Sequence, residues 1–266
     1  MRPTPTPDPH PSVPPAAEAA AADEGKGPVA DDAAAPIVRG GPQRIPRPPG
    51  TRPGSPPPWA HLSADDRHLD LLSVERRIAA LGPPFRSPRE GQVERASAVL
   101  AALYEDRGEA WIVLTRRSSA LRLHSGEVSF PGGGQDLDEE LRDTALREAH
   151  EEIGLDPSAV RLVGELDHLS TIMSNSYIVP FVGVLDRCPE LAGNPGEVDA
   201  VLRVRLAELL EPEVFREERW DMFGAERAMY FFELVGDTVW GATASMLRQL
   251  LGFATATVAR GDTGHE

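Results

Sequence analysis

The chain has 266 residues, 41% of them apolar, and a formal charge of −15 from 27 basic and 42 acidic side chains. That length suits one generous domain or two small ones, and the apolar share leaves part of the chain outside any core. A protein this acidic has no general attraction for nucleic acid or an anionic membrane, and an anionic substrate needs local arginines or metal ions. The single cysteine, Cys188, excludes an internal disulfide and a thiolate metal cage. The N-terminus lacks the apolar stretch of a signal peptide, and no run approaches the roughly 20 apolar residues that span a bilayer. The expectation is a cytoplasmic protein with neither a nucleic-acid nor a membrane partner.

In chain order, residues 1–58 hold most of the 26 prolines, among Ala, Gly and Asp, with hardly a large apolar side chain before Ile37. Such a segment buries too little apolar surface to offset the entropy of ordering, which predicts a disordered low-complexity tail. The domain is expected over 59–256, opening with a helical lead-in over 59–90. There Ser63 and Ser73 are candidate N-caps and Gly82 a stop, with Leu69, Leu71, Leu72, Val74, Ile78 and Leu81 as apolar positions. "ASAVLAALYED" and "AWIVLTRRS" flank Asp106-Arg107-Gly108-Glu109 and predict a hairpin. A polar loop over 118–129 leads into "FPGGGQDLDEELRDTALREAHEEIGL", residues 130–155. Strands follow in "AVRLVGELDHLS" and "SYIVPFVGVLD", then a short helix in "RLAELLEPE". A strand pair turned at Gly236-Asp237, a final helix in "ATASMLRQLLGF" and a flexible end over 257–266 complete the prediction. Strands and helices without strict alternation argue an α+β fold with a mixed sheet.

The quoted segment concentrates eight carboxylates between Asp136 and Glu152. Like charges three or four apart on a helix repel by about 0.2–0.5 kcal/mol per pair, so the crowding calls for a reason. Set on a helix at 100° per residue, residues 141–154 bring Glu148, Glu151 and Glu152 within an arc of about 100°, with Leu146, Ala149 and Ile153 on roughly the opposite side. The helix can then bury its apolar face while three carboxylates converge as hard oxygen ligands for Mg²⁺ or Mn²⁺. For charge alone, a solvated acidic face is the plain alternative. Pro131-Gly132-Gly133-Gly134 offers a backbone able to approach a ligand closely, with a carbonyl near Gly132 available to a metal. Gly154 lets the helix stop directly after the acidic turn.

Gly133, five residues, Glu139, seven residues, then Arg147-Glu148-Ala149-His150-Glu151-Glu152-Ile153-Gly154-Leu155 resembles the signature of the Nudix hydrolases, with Ala149 smaller than the usual aliphatic. The resemblance implies a Nudix α/β/α sandwich with a mixed β-sheet. It also implies metal-dependent hydrolysis of a nucleoside diphosphate linked to another moiety. Carried over by position, Glu148 and Glu152 would ligate Mg²⁺ or Mn²⁺ directly, with Glu151 a direct or water-mediated ligand. Arg147 would hold the glutamates by charge-assisted hydrogen bonds, and Glu139 would support the loop–helix geometry or an outer metal position. The general base stays open between Glu148 and Glu197, which stands in the later loop "GNPGEVDA"; His124 and His168 are weaker candidates.

Upstream, "VLTRRSSALRLHSGEVSFPGG", residues 113–133, is similar to a motif of the coenzyme A pyrophosphatase branch through Thr115, Arg117, Ser118, Arg122, Gly126 and Phe130-Pro131-Gly132-Gly133. Coenzyme A carries a 3'-phosphate beside its pyrophosphate. Arg117 and Arg122 could contact phosphate bidentately or instead pair with Glu127 or Asp136, and Gly132 and Gly133 line the same approach. The branch resemblance implies 3'-phosphoadenosine 5'-phosphate and (acyl-)4'-phosphopantetheine as products. A Nudix hydrolase of ADP-ribose, NADH or another nucleoside diphosphate derivative is one alternative, and a non-catalytic nucleotide-sensing domain another. A small-molecule substrate is expected in either hydrolase reading; a homodimer is left open.

Overall fold

One long strand, buried on both faces, carries the architecture. The computed structural model describes residues 37–91, 95–121, 124–171 and 175–262. Its elements are β1 (Arg52–Pro53), α1 (Leu71–Ala79), β2 (Arg95–Asp106), β3 (Glu109–Arg117), β4 (Val128–Ser129), β5 (Gly132–Gly134), α2 (Leu141–Ile153), β6 (Val160–Glu165), β7 (Leu169–Thr171) and β8 (Ser176–Leu185). They continue through β9 (Val198–Arg205), α3 (Leu206–Leu209), β10 (Phe215–Met222), β11 (Ala225–Glu233), β12 (Thr238–Trp240) and α4 (Gly241–Thr255).

Alternation along β2 sends Ala98, Leu100, Ala102 and Tyr104 into one apolar cluster and Ala101 and Leu103 into another. Ala145, Ala149 and Ile153 of α2 fill the first cluster, whereas α1 and α4 contribute Val74, Ile78, Leu247 and Leu250 to the second. The larger sheet runs β4-β3-β2-β8-β6, with β9 added to β3, β5 to β2 and β7 to β8. It is mixed, because β2 lies parallel to β8 and antiparallel to β3 and β5. A second sheet has the order β1-β10-β11-β12. Helices on both faces of a mixed sheet make the α/β/α sandwich expected from the sequence. No helix among the described residues is long and apolar enough to cross a membrane.

Local details refine the lead-in. The N-cap of α1 is Asp70, whose carboxylate accepts from the Ser73 backbone N–H at 2.9 Å, and Ser73 itself lies inside the helix. Ser63 Oγ accepts from the Asp66 N–H at 3.2 Å, beside a single 3₁₀ turn whose N-cap is Ala64.

The domain limits differ at both ends from those read off composition. Residues 37–58, assigned to the disordered tail, are seated on the domain, and the contact unit begins at Ile37. Gly40 forms a bridge with Val235, Arg39 pairs with Glu208 at 3.0 Å, Arg47 with Glu218 at 2.9 Å, and β1 adds to the edge of β10. Paired charges and backbone hydrogen bonds order this strap, and a count of apolar residues does not register them. At the other end, the sequence predicts a flexible segment over 257–266, which includes the described residues 257–262. Instead Arg260 reaches the buried Asp167 at 2.8 Å, and the Gly261 N–H donates to the same carboxylate at 2.7 Å. Residues 1–36 and 263–266, covered by the same expectations, lie outside the described residues.

Removing the strap leaves Glu218 and the buried Asp237 short of partners. A chain beginning at Trp59 is therefore expected to melt roughly 5–10 °C below one beginning at Ile37. Equal melting temperatures by calorimetry would contradict the seating of the strap.

Candidate active site

The acidic segment folds as its spacing dictates. Gly154 closes α2 in a left-handed conformation (φ 69°), and Ala145, Ala149 and Ile153 press on the sheet. The three glutamates then differ in depth. Side-chain exposure falls from 51% at Glu151 to 17% at Glu148 and 4% at Glu152.

Glycines make the depth possible. A Cβ at Gly133 would stand 2.4 Å from Cδ of Glu148, so glycine leaves room for that carboxylate in the position it takes against β5. A Cβ at Gly132 would meet the Ala98 carbonyl oxygen at 2.4 Å. The Gly132 N–H donates to Glu152 Oε2 at 3.2 Å, so this residue presents a donor to the acidic group.

Arg147 is the cation at the centre. Its Nε and Nη2 form a fork on Glu139 at 2.9 and 3.1 Å, and Nη2 also donates to the Gly134 carbonyl at 3.1 Å. Its Nη1 reaches Glu148 Oε1 at 3.0 Å and Glu151 Oε2 at 3.1 Å. The Arg147 fork, with help from the Thr144 hydroxyl, holds Glu139 down to about 2. Burial instead pushes Glu152 up to about 7, with the negative charges of Glu148 and Glu197 acting in the same direction. Glu148 is raised as well, chiefly by burial.

The remaining candidates fall as follows. Arg117, at the end of β3, places Nη1 at 3.5 Å from Glu152 Oε1. It thus pairs with neither Glu127 nor Asp136, and its Nε is buried with no hydrogen-bond partner among the described residues. Arg122 lies outside the described residues. Glu197 sits half-buried in the turn before β9, and this turn is tied to α2 where the Asn194 N–H donates to the Glu152 carbonyl at 2.7 Å. The Glu197 carbonyl accepts from the Ser118 N–H at 2.7 Å, which brings the end of β3 to the same place. The histidines have other partners: His124 pairs with Glu127 at 2.8 Å, and His168 is buried between Tyr177 and Glu165. Sequence reasoning missed the Gly132 N–H as a donor to Glu152, because a backbone contact of this kind leaves no residue-type signal.

Among the described residues no group of three His, Cys, Asp or Glu side chains stands in ligating geometry; Arg147 engages one oxygen each of Glu148 and Glu151. The donor chemistry nevertheless fits a hard divalent cation. Two partly or fully buried carboxylates raised in pKa face a third at Glu197, and glycines clear the approach.

These features place the chain with known proteins. The NUDIX domain family profile matches residues 94–223. Nudix hydrolase 22, chloroplastic, of Arabidopsis thaliana is 43% identical over 162 residues, 58% of this chain and 53% of that protein. Nudix hydrolase NudL of Photorhabdus laumondii is 38% identical over 179 residues, 66% of this chain and 93% of that protein. The chain belongs to the Nudix hydrolase family. It spans about half the length of the Arabidopsis relative. Among solved structures, the Nudix domain of Shewanella oneidensis NrtR complexed with ADP ribose aligns at 18% identity and TM-score 0.38, over 47% of this chain and 80% of that one.

A carboxylate whose folded pKa is raised binds its proton more tightly in the native state than in the unfolded one. It therefore costs stability as pH rises from the unfolded value of 4.5 toward about 7. In chelator, the wild-type protein should lose on the order of 3 kcal/mol between pH 5 and 8 from this group, and Glu152→Gln should abolish that share. Urea melts of both proteins at the two pH values decide it; identical pH slopes would contradict the buried, raised state of Glu152.

Proposed function

We propose that this protein hydrolyses the pyrophosphate bond of coenzyme A or its thioesters, yielding 3'-phosphoadenosine 5'-phosphate and (acyl-)4'-phosphopantetheine. The broader reading, attack of water on a nucleoside diphosphate joined to another group, is supported by family membership and the glutamate cluster. One observation supports the narrower reading: the guanidinium of Arg117, at the end of β3, reaches the acidic cluster and makes only a single long contact there, to Glu152 at 3.5 Å.

Glu148, Glu151 and Glu152 would hold Mg²⁺ or Mn²⁺. Such a cation would supply Lewis-acid stabilisation of the charge that develops on the leaving phosphate and would make the attacking water more acidic. The side chains divide the remaining work. Arg147 fixes Glu148 and Glu151 from behind and is fully occupied in doing so, which keeps it off the substrate. Arg117 neutralises and orients a phosphate with its fork of donors. Glu197, joined electrostatically to Glu148 and Glu152, is our choice to accept the proton of the attacking water, with Glu148 the competing base. The Gly132 N–H keeps Glu152 turned into the site, and Gly132 and Gly133 leave the approach open to the pyrophosphate. We place this chemistry in the cytoplasm.

Incubation with Mg²⁺ or Mn²⁺ and equal concentrations of coenzyme A, dephospho-coenzyme A, ADP-ribose and NADH tests the reading by product analysis. Coenzyme A should be cut fastest, and Glu152→Gln should lose at least about 100-fold, the worth of several kcal/mol of charge stabilisation. Arg117→Ala should lower kcat/KM for coenzyme A by about 10-fold or more, as for a lost hydrogen bond to a charged group. Faster turnover of ADP-ribose or NADH would leave a Nudix pyrophosphohydrolase and overturn the coenzyme A assignment.

A further inference from the structure

We infer that Gln43, on the N-terminal strap, is a positioning residue that fastens the base of the 118–126 loop and so holds Arg117 over the glutamate cluster. The inference rests on the role proposed above for Arg117 but draws on a separate set of contacts. The Gln43 amide makes three of them. Nε2 donates to Asp237 Oδ1 at 2.8 Å and to the Gly126 carbonyl at 3.1 Å, and Oε1 accepts from the Thr238 N–H at 2.8 Å. Only one orientation of the amide serves. A flip would set its oxygen against a carboxylate and a carbonyl and its NH₂ against an N–H.

Two of those contacts converge on the ends of the loop. Asp237, with a side chain 5% exposed, also takes Arg116 Nη1 at 3.1 Å. Gly126 closes the loop on the next rung: its N–H donates to the Arg117 carbonyl at 3.2 Å, and the Arg117 N–H donates to the Glu127 carbonyl at 2.9 Å. Consecutive residues on a strand point to opposite faces. Arg116 therefore turns to Asp237 while Arg117 turns to Glu152, and a register shift of β3 against β9 falls between them. Gln43 holds both the strand that leads into the loop, through Asp237 and Arg116, and the residue that leads out, Gly126. It does so from a position 83 residues earlier in the chain. Arg147 and the Gly132 N–H hold the glutamates from outside this rung, so loosening it should act first on Arg117, whose own hold on Glu152 is a single long contact.

The test uses the full chain with Gln43→Ala, and Gln43→Met as a variant of similar length without the amide. Hydrogen exchange across 118–127 and steady-state kinetics on coenzyme A with Mn²⁺ are measured on both. Exchange in the loop should rise by about fivefold, the worth of one neutral hydrogen bond, and KM by a similar factor with kcat within about twofold. Exchange in β2 should not change. Unchanged loop exchange overturns the inference whatever the activity. Faster exchange with unchanged KM, or a fall confined to kcat, also overturns it. If the wild type cuts none of the nucleotides, the proposed function fails, and the exchange measurement alone decides the coupling of strap to loop.

Discussion

The burial of one carboxylate, Glu152, is the constraint that the surrounding structure answers. An ionised group removed from water is costly unless donors or cations face it. Glu152 has the Gly132 N–H at 3.2 Å and Arg117 at 3.5 Å, both modest, and burial raises it to about 7. One turn earlier, Glu148 adds like charge. A fold that only needed stability would put a neutral or apolar residue here. Keeping the acid in place requires a second cation to restrain its neighbours, and Arg147 serves by gripping Glu139, Glu148 and Glu151 together. The two arginines are therefore not equivalent. Arg147 has hydrogen-bond partners for all three of its nitrogens, whereas Arg117 Nε has none among the described residues.

Close approach of α2 to the sheet sets the geometry of this group. Ala145 and Ala149 on the helix meet Ala98 and Ala102 on β2 within one buried cluster, so small side chains on both sides let the helix axis come near. The aliphatic usual at position 149 would hold the helix farther out. β5 continues the same row, because Gly133 pairs with Ala98 and clears space for the Glu148 carboxylate. Packing and chemistry here share the same atoms. A methyl group at Gly133 would collide with the Glu148 carboxylate, which could yield only by moving from its place beside Arg147.

How much of this the sequence disclosed depends on where the information lay. The acidic site was legible because its residues share one helix, where spacing fixes direction. The β2–β3 hairpin and α4 were legible from periodicity and turn residues in the same way. The strap was not: Arg39 and Arg47 find partners 169 and 171 positions away and Gln43 finds them 83 and 194 positions away, and a proline-rich composition points to disorder. β10, "FREERWDM", escaped for a related reason. Phe215 and Trp220 are buried, but the charged run between them is a poor strand signal until Arg47, Arg216 and Glu233 are seen to neutralise it. Glu197 was placed near the site only by analogy. Its actual link is a backbone ladder from Ser118 and Asn194, which no residue type announces.

The strap also bears on how so acidic a protein could receive a polyanion. At −15 overall, the long-range field opposes a phosphorylated ligand, so attraction has to be local and fixed in place. A flexible arginine would be drawn to the nearest acids, which are plentiful. Arg116 is drawn in this way to Asp237, and Arg147 to three glutamates. Arg117 escapes full neutralisation because its backbone is clamped on both sides, through Glu127 and Gly126 on β4's approach and through Arg116 to the Asp237–Gln43 pair. Rigid placement of this kind would leave Arg117 only a single long contact to an acid, and the clamp proposed for it lies outside the acidic motif.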